Sequence, residues 1–227
     1  MRWHKRWALG MLLLAGGACQ AAEYCGDFKG HYGPLDYRMR GQVNLEVVEN
    51  RHFPQEVEQG LHGSSGELGQ DLDYTLRAIP NHHRALVTLT RLALRQKAVK
   101  IAHMKFPVEC YFERAQRYTP DDGKVHALYG NYLMAVGREA DARRAYNLAL
   151  ELEPENATIA YNLGLLTLKA GQYEQAVAFA EKAYGLDFPL PYLKNKLQAA
   201  GKWTASNDAA VAAVREAAAS AAETKSE

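Results

Sequence analysis

The sequence predicts an all-α protein in which pairs of antiparallel helices stack into a solenoid. Three features of its second half indicate this architecture. Glycine recurs at an interval of 34 residues, at Gly130 and Gly164, and proline recurs at the same interval, at Pro120 and Pro154. Large apolar residues such as Tyr146 fill the positions between the small ones. An internal period of this length is typical of proteins built from repeated helical units.

The recurring residues have a physical basis and define the units. Small side chains let the two helices of a unit approach each other closely, and proline ends the second helix because it has no N–H for the hydrogen-bond ladder. We therefore predict regular repeats at 123–156 and 157–190, and a longer, degenerate unit at 81–122. A short helix is also expected before Pro80. When it is included, the predicted solenoid covers residues 71–190.

The segment 160–177, which reads AYNLGLLTLKAGQYEQAV, resembles the tetratricopeptide repeat, and 127–154 follows the same pattern. His126 and Ala160 stand where that family often has tryptophan. The resemblance implies a superhelix in which the first helix of each pair lines a concave groove. It also implies an interaction module rather than an enzyme.

The N-terminus has the pattern of a secretory signal peptide over residues 1–21. Three basic residues precede a short apolar stretch, and small residues lead to a cleavage position after Ala21 or Ala22. The apolar stretch is too short to cross a membrane. We therefore expect a periplasmic protein. The alternatives are a buried N-terminal helix and an outer-membrane lipoprotein acylated at Cys19.

Residues 22–70 are rich in glycine, and we expect irregular loops that wrap against the first repeat. After export two cysteines remain, Cys25 and Cys110, and an oxidising compartment favours one disulfide between them. Two buried free thiols or a metal pair are the alternatives. The segments GPLDYR at 33–38 and CYFERA at 110–115 resemble a group of exported repeat proteins of Gram-negative bacteria, a resemblance that implies no activity.

The C-terminal region is predicted to close the solenoid. Residues 191–203 form the expected capping helix, whose apolar residues are Leu193, Leu197 and Trp203. Residues 204–227 are rich in alanine and almost devoid of large apolar side chains, so we predict a disordered tail or a frayed helix.

The charge pattern indicates a binding surface. From Tyr74 to Val108 there is no acidic residue, and helical spacing aligns Arg84, Arg91 and Arg95 on one stripe. Arginine binds carboxylates in a bidentate manner, so the groove suits an extended peptide with acidic residues or a free C-terminus. An anionic lipid or glycan would use the same arginines. By the register of the resemblance, the groove-lining residues are Arg84, Thr88, Arg91, Arg95, Asn131, Met134, Tyr161, Asn162, Leu165 and Lys169.

The arginine stripe has two other interpretations. In the first, the arginines form a solvated face without a partner. In the second, they pair inside the protein with the acidic residues of the N-terminal region, which are Glu46, Glu49, Glu56, Glu58, Glu67, Asp71 and Asp73.

No enzyme motif such as HExxH, GxSxG or a phosphate-binding loop is found, so we predict no catalytic residue, no cofactor and no metal. The triplet Asn81-His82-His83 is interpreted as a helix start in which Asn81 caps free N–H groups after Pro80. The alternative is a metal-dependent or catalytic site near this triplet, with the candidates His31, Tyr32, Asp36, His82 and His83.

Composition narrows the class of protein. Of the 227 residues, 48% are hydrophobic and 23% charged, which excludes a collagen-like, wholly disordered or polytopic membrane protein. The net charge is +1, and loss of the basic residues of the signal peptide would leave about −2, a poor match to nucleic acid. We therefore expect a periplasmic adaptor or assembly factor of an envelope complex. A structural subunit of a larger complex is the other non-enzymatic alternative.

Overall fold

The computed structural model describes residues 25–29 and 32–224. Within this part the chain forms eleven α-helices and no β-strand. The helices are α1 (Glu46–His52), α2 (Gln55–Gln59), α3 (Leu68–Ala78), α4 (His83–Gln96), α5 (Val108–Tyr118), α6 (Gly123–Ala135), α7 (Glu139–Leu152), α8 (Ala157–Lys169), α9 (Tyr173–Gly185), α10 (Tyr192–Ala199) and α11 (Ala205–Thr224).

Helices α4 to α9 form three consecutive pairs, α4/α5, α6/α7 and α8/α9, and the two helices of each pair pack against each other. We call the first helix of a pair the A helix and the second the B helix. Asp122 and Asn156 cap two of the A helices by accepting the backbone N–H groups of Val125 and Ile159. The predicted all-α solenoid of the tetratricopeptide type is confirmed.

The recurring glycines lie where helices touch. A Cβ atom on Gly130 of α6 would lie 2.7 Å from the ring of Tyr146 on α7, whose side chain is only 2% exposed. A Cβ on Gly164 of α8 would lie 2.4 Å from Leu193 of the next A helix. Gly171 has another role, because it turns the chain from α8 into α9 with a φ of +72°, which favours glycine.

The N-terminal segment contains more helix than the sequence indicated for residues 22–70. It includes α1, α2 and the start of α3. Leu45 and Val48 pack against the end of α3, and Phe53 and Val57 join the main core of the solenoid. The described glycines of this segment lie before or between these short helices, except for Gly69 of α3, and they obscured the apolar positions that pair with the repeats.

Cys25 and Cys110 form a disulfide, as predicted, with their Cα atoms 5.1 Å apart. Arg114, on the same helix as Cys110, is 1% exposed and donates from Nη1 to the backbone carbonyl oxygens of Cys25, at 3.1 Å, and Asp27, at 2.6 Å. The Phe28 ring lies 4.8 Å from this guanidinium. The segment 25–29 is therefore tied to α5 by a covalent bond and by a buried arginine.

Residues 204–227 were predicted to form a disordered tail or a frayed helix, and the described part is helical, because α11 extends from Ala205 to Thr224. Alanine has the highest helix propensity, and it needs few contacts to remain helical. α11 packs against α9, where a Cβ on Gly185 would lie 2.4 Å from Val214. The predicted capping helix α10 packs against α8 and α9, and α11 packs against α9, so we call α10 the fourth A helix and α11 the fourth B helix.

Several predicted features lie outside the described residues. These are the signal peptide at 1–21, the lipidation candidate Cys19, the candidate site residue His31 and residues 225–227. In the part that is described, no helix combines the length and the apolar character that a membrane span requires.

Candidate functional site

The four A helices differ from the four B helices in charge. α4, α6, α8 and α10 contain no aspartate or glutamate, whereas each of α5, α7, α9 and α11 contains at least two acidic residues. Basic residues occur in all four A helices, and they are Arg84, Arg91, Arg95, Lys124, Lys169, Lys194 and Lys196. The helices that line the inner side of a tetratricopeptide solenoid are therefore cationic in this chain.

One side of the A helices is open to solvent. In α4 the exposed residues recur with helical spacing at Arg84, Val87, Arg91 and Arg95. We call this surface the A face, and the residues that define it are Arg84, Val87, Arg91, Arg95, Lys124, Asn131, Met134, Asn162, Leu165 and Lys169. Their burial ranges from exposed to half-buried.

Helix α2 lies against the α4 end of the A face. Arg84 Nε donates to Glu58 Oε1 at 2.6 Å, and the Thr88 hydroxyl, which is buried, donates to the backbone oxygen of Glu58 at 2.7 Å. The hydrogen bond from Arg84 lowers the pKa of the Glu58 carboxyl. For Arg84, the internal pairing with the N-terminal acids is therefore the correct interpretation.

Arg91 and Arg95 differ from Arg84 in that they contact oxygen atoms without a full charge. Arg95 Nη2 donates to the Gly60 carbonyl at 2.7 Å, and Arg91 Nη2 donates to the Glu58 carbonyl. Neither guanidinium pairs with a carboxylate within the described residues, and both side chains are exposed. Arg91 still acts through space on the Glu58 carboxylate, whose pKa it helps to lower, but neither arginine forms a salt bridge in the described part of the chain.

Helices α6 and α8 are joined across the A face by amide groups. Asn162 Nδ2 donates to Asn131 Oδ1 at 3.1 Å, and the same oxygen accepts the hydroxyl of Tyr146 at 2.7 Å. Met134 and Leu165 are half-buried, and Lys169 pairs with Glu139. Tyr161 is not part of this surface, because it is 5% exposed and its ring stacks on Phe188.

The triplet Asn81-His82-His83 connects helices. The cap of α4 is His82 and not Asn81, since His82 Nδ1 accepts the N–H of Ala85 at 3.1 Å. The Asn81 side chain instead donates to Asp36 at 2.7 Å and to Asp122 at 2.9 Å. His83 Nε2 lies 2.8 Å from Asp122 Oδ2.

His82 is fully buried, and its Nε2 lies 2.9 Å from Glu49 of α1. Burial lowers the pKa of His82, although the Glu49 carboxylate opposes this effect. Because Nδ1 accepts a backbone N–H, the ring is neutral and donates its single proton from Nε2 to Glu49. Both nitrogens are thus occupied, and neither is available for catalysis or for a metal.

The other candidates for chemistry also have structural roles. Burial alone would raise the pKa of Asp36, but hydrogen bonds from Arg38 and Asn81 lower it to about 2. Ser65, His52 and Asp71 lie together, with Ser65 Oγ 3.0 Å and Asp71 Oδ1 2.8 Å from the same ring nitrogen, His52 Nδ1. A catalytic relay needs the serine and the carboxylate on opposite nitrogens, so this cluster anchors a loop.

No group of three or more His, Cys, Asp or Glu side chains in residues 25–29 and 32–224 is placed to hold a metal ion. Asp36 and Tyr32 are described, but the metal or catalytic alternative also needed His31, which is outside those ranges.

Comparison with known proteins agrees with this architecture. A family model described as tetratricopeptide repeat matches residues 145–178. Protein O-mannosyl-transferase TMTC1 of Mus musculus is 35% identical over 83 residues, and its counterpart from Homo sapiens is 35% identical over 79 residues. These matches cover 37% and 35% of this chain and 9% of each relative, so the chain spans a small part of them. The chain contains a tetratricopeptide repeat within a solenoid of paired helices, and such a domain is a protein–protein interaction module.

Proposed function

We propose that this protein binds an extended, acidic segment of a partner protein along the A face and acts as an adaptor or assembly factor in the periplasm. The observation that carries the proposal is the absence of acidic residues from all four A helices. A surface of one charge sign attracts a partner of opposite charge and repels partners of the same charge.

Arg91 and Arg95 are the residues we assign to carboxylate binding. Each is held by a backbone carbonyl of the segment 58–60 and has no carboxylate partner among the described residues. A guanidinium fixed on one edge can receive a carboxylate on its remaining N–H groups with little further loss of conformational freedom. Arg84 is not included, because Glu58 already neutralises it.

Asn131 and Asn162 are the residues we assign to the peptide backbone. The side-chain oxygen of Asn131 accepts two hydrogen bonds within the protein. Its Nδ2 donates no hydrogen bond to the described residues. Side-chain amides at regular spacing can pair with the alternating N–H and C=O groups of an extended chain. The half-buried Met134 and Leu165 supply apolar contacts between these polar positions.

The sequence of residues 1–21 supports export, and the Cys25–Cys110 disulfide supports an oxidising compartment, since such bonds are rare in the cytosol. A fusion of residues 1–29 to a phosphatase that is active only after export tests this location. Activity of the fusion, and its loss when Arg2, Lys5 and Arg6 are replaced by Glu, is the expected result. A fusion that stays inactive would contradict export.

The binding experiment uses a labelled ten-residue glutamate peptide and crosslinking in intact cells. We expect the wild type to bind the glutamate peptide and not a lysine peptide, and to capture one defined partner. The variant Arg91→Glu/Arg95→Glu loses the binding of the glutamate peptide and the capture of the partner. The matched control Arg143→Glu/Arg144→Glu makes the same charge change on α7, a B helix, and retains both. Equal capture by the two variants would refute the A face as the binding surface.

Mannosyl transfer, the activity in the name of the TMTC1 relatives, is not part of the proposal. The similarity covers 9% of those proteins. No cluster in the described residues has the geometry of a catalytic site.

A further inference from the structure

The turn between α4 and α5 is longer than the corresponding turns of the regular repeats. It spans residues 97–107, whereas the turns after α6 and α8 span 136–138 and 170–172. We call residues 97–107 the basic loop, because Lys97, Lys100 and Lys105 are its charged residues at neutral pH. Insertions within a repeat project from one face of a solenoid, often the face that binds a partner.

The basic loop is held in place by buried contacts. Ile101 and Met104 are buried in the main core. The backbone N–H of Lys105 donates to Asp73 Oδ1 at 2.9 Å, and the N–H of Val108 donates to the Val99 carbonyl at 2.9 Å. The residues between these anchors are therefore displayed in a fixed arrangement.

The tip of the basic loop exposes an apolar side chain between positive charges. Val99 is 79% exposed, more than any other large apolar residue of the described part. Lys97 and Lys100 flank it, both are exposed, and neither pairs with a carboxylate in the residues that the structure describes. No acidic residue lies between Tyr74 and Val108.

We propose that the basic loop docks on the surface of an anionic phospholipid membrane. Val99 inserts among the headgroups, and Lys97, Lys100 and Lys105 contact the lipid phosphates. Each lysine close to an anionic membrane adds favourable electrostatic energy that falls off within a Debye length, so the interaction is reversible and sensitive to salt. The lysines of the basic loop are different residues from Arg91 and Arg95, which we assign to carboxylate binding.

The shape of the loop favours a membrane over an acidic peptide. A peptide is bound in a groove that surrounds its side chains, whereas an exposed apolar side chain with adjacent charges can contact a flat surface. The exposed Val99 has no function in a purely electrostatic contact with a peptide. On a membrane it adds affinity, because its apolar side chain moves from water into the headgroup region.

The test is co-sedimentation of the purified protein with vesicles of phosphatidylcholine alone or with about one third phosphatidylglycerol. We expect binding only to the anionic vesicles, and loss of that binding in 0.5 M NaCl. Lys97→Glu/Lys100→Glu should weaken the binding at least about tenfold, and Val99→Ser about threefold. The control Lys196→Glu/Lys202→Glu makes the same charge change at the other end of the solenoid and binds as wild type.

Three outcomes would overturn the inference. They are equal binding to both vesicle types, equal loss of vesicle binding in the loop and control variants, and vesicle binding by Lys97→Glu/Lys100→Glu at the wild-type level. Loss of the glutamate peptide but not of the anionic vesicles in this variant would assign the basic loop to the peptide site. Circular dichroism verifies that each variant is folded.

Discussion

At the scale of single residues, His82 shows how a side chain with catalytic potential can be used entirely for structure. Its ring caps α4 through Nδ1 and holds α1 through Glu49 at Nε2. The rings of Tyr37 and Phe53 pack against it, with centroids 4.3 Å and 4.7 Å away. The sequence identified the triplet as a helix start, but Asn81 does not cap α4 because its side chain donates to Asp36 and Asp122.

The buried neutral state of His82 makes stability depend on pH. Its pKa is lowered from the ordinary value of 6.5, so below that pH the unfolded chain binds a proton that the folded protein does not. The free energy of unfolding therefore does not depend on His82 above pH 6.5. As the pH drops below 6.5, the free energy of unfolding falls by about 1.4 kcal/mol per pH unit until His82 is protonated in the folded state.

Urea unfolding at pH 7.5 and 5.5 measures this effect. His82→Asn keeps a capping side chain without a titrating ring, and it should show a smaller difference between the two pH values. The carboxylates that pair with histidines titrate at lower pH and do not interfere in this interval. An unchanged difference in the variant would assign the pH dependence to other groups.

Gly130 provides a second residue-scale prediction. Gly130→Val places branched carbon atoms against the buried Tyr146 ring, which cannot move away without losing its bond to Asn131. We expect the free energy of unfolding to fall by about 2 to 3 kcal/mol. Ala135→Val, on the exposed side of the same helix, should cost only about 0.6 kcal/mol. Similar losses in both variants would mean that the close approach is not the cause.

At the scale of elements, the two ends of the solenoid differ in how they are stabilised. The N-terminal segment is joined to the repeats by a disulfide, by the buried Arg114 and by the pair of His82 with Glu49. The C-terminal helices α10 and α11 are held on α8 and α9 mainly by apolar packing, with Leu193 and Leu197 buried. Each end therefore responds to a different perturbation.

Loss of the disulfide is expected to destabilise the protein by about 4 kcal/mol, because it releases a closed loop of 85 residues in the unfolded chain. Thermal unfolding with and without reductant measures this. Cys25→Ser/Cys110→Ser should have the stability of the reduced wild type and should not respond to reductant. A response to reductant in the double variant would point to another thiol.

Removal of residues 204–227 tests whether α11 is part of the solenoid. The truncation uncovers the side of α9 that includes Gly185, and we expect the free energy of unfolding to fall by about 2 to 4 kcal/mol. Removal of 225–227 alone is the control. A disordered tail would leave the stability unchanged in both.

At the scale of the whole molecule, the fold was predictable because its information is local and repeated. The glycines, alanines and prolines that define 123–156 and 157–190 recur at one interval, and each has a steric reason. The disulfide followed from the cysteine count. A frayed helix was one alternative for residues 204–227, but the packing of α11 was missed because a search for large apolar residues undervalues alanine.

The candidate site was predictable only in part. The alignment with the tetratricopeptide pattern placed Arg91, Asn131 and Asn162 on the A face, where they are accessible. It could not show that α2 lies along α4, because that contact joins residues far apart in the chain and has no repeated pattern. Glu58 was one of seven acidic residues that the internal-pairing interpretation named, whereas the carbonyl of Gly60 is a neighbour that sequence reasoning missed.

The contact between α2 and α4 also determines where the solenoid could be extended by additional repeats. With α2 packed along α4 and Cys25 bonded to Cys110, a new unit has no free surface against which to stack before α4. Between α6 and α9, by contrast, one interface recurs, so a duplicated copy of 157–190 could be inserted there and meet the surfaces that it needs. Lengthening by duplication is therefore a route open to this protein in its regular half and closed at its N-terminal end.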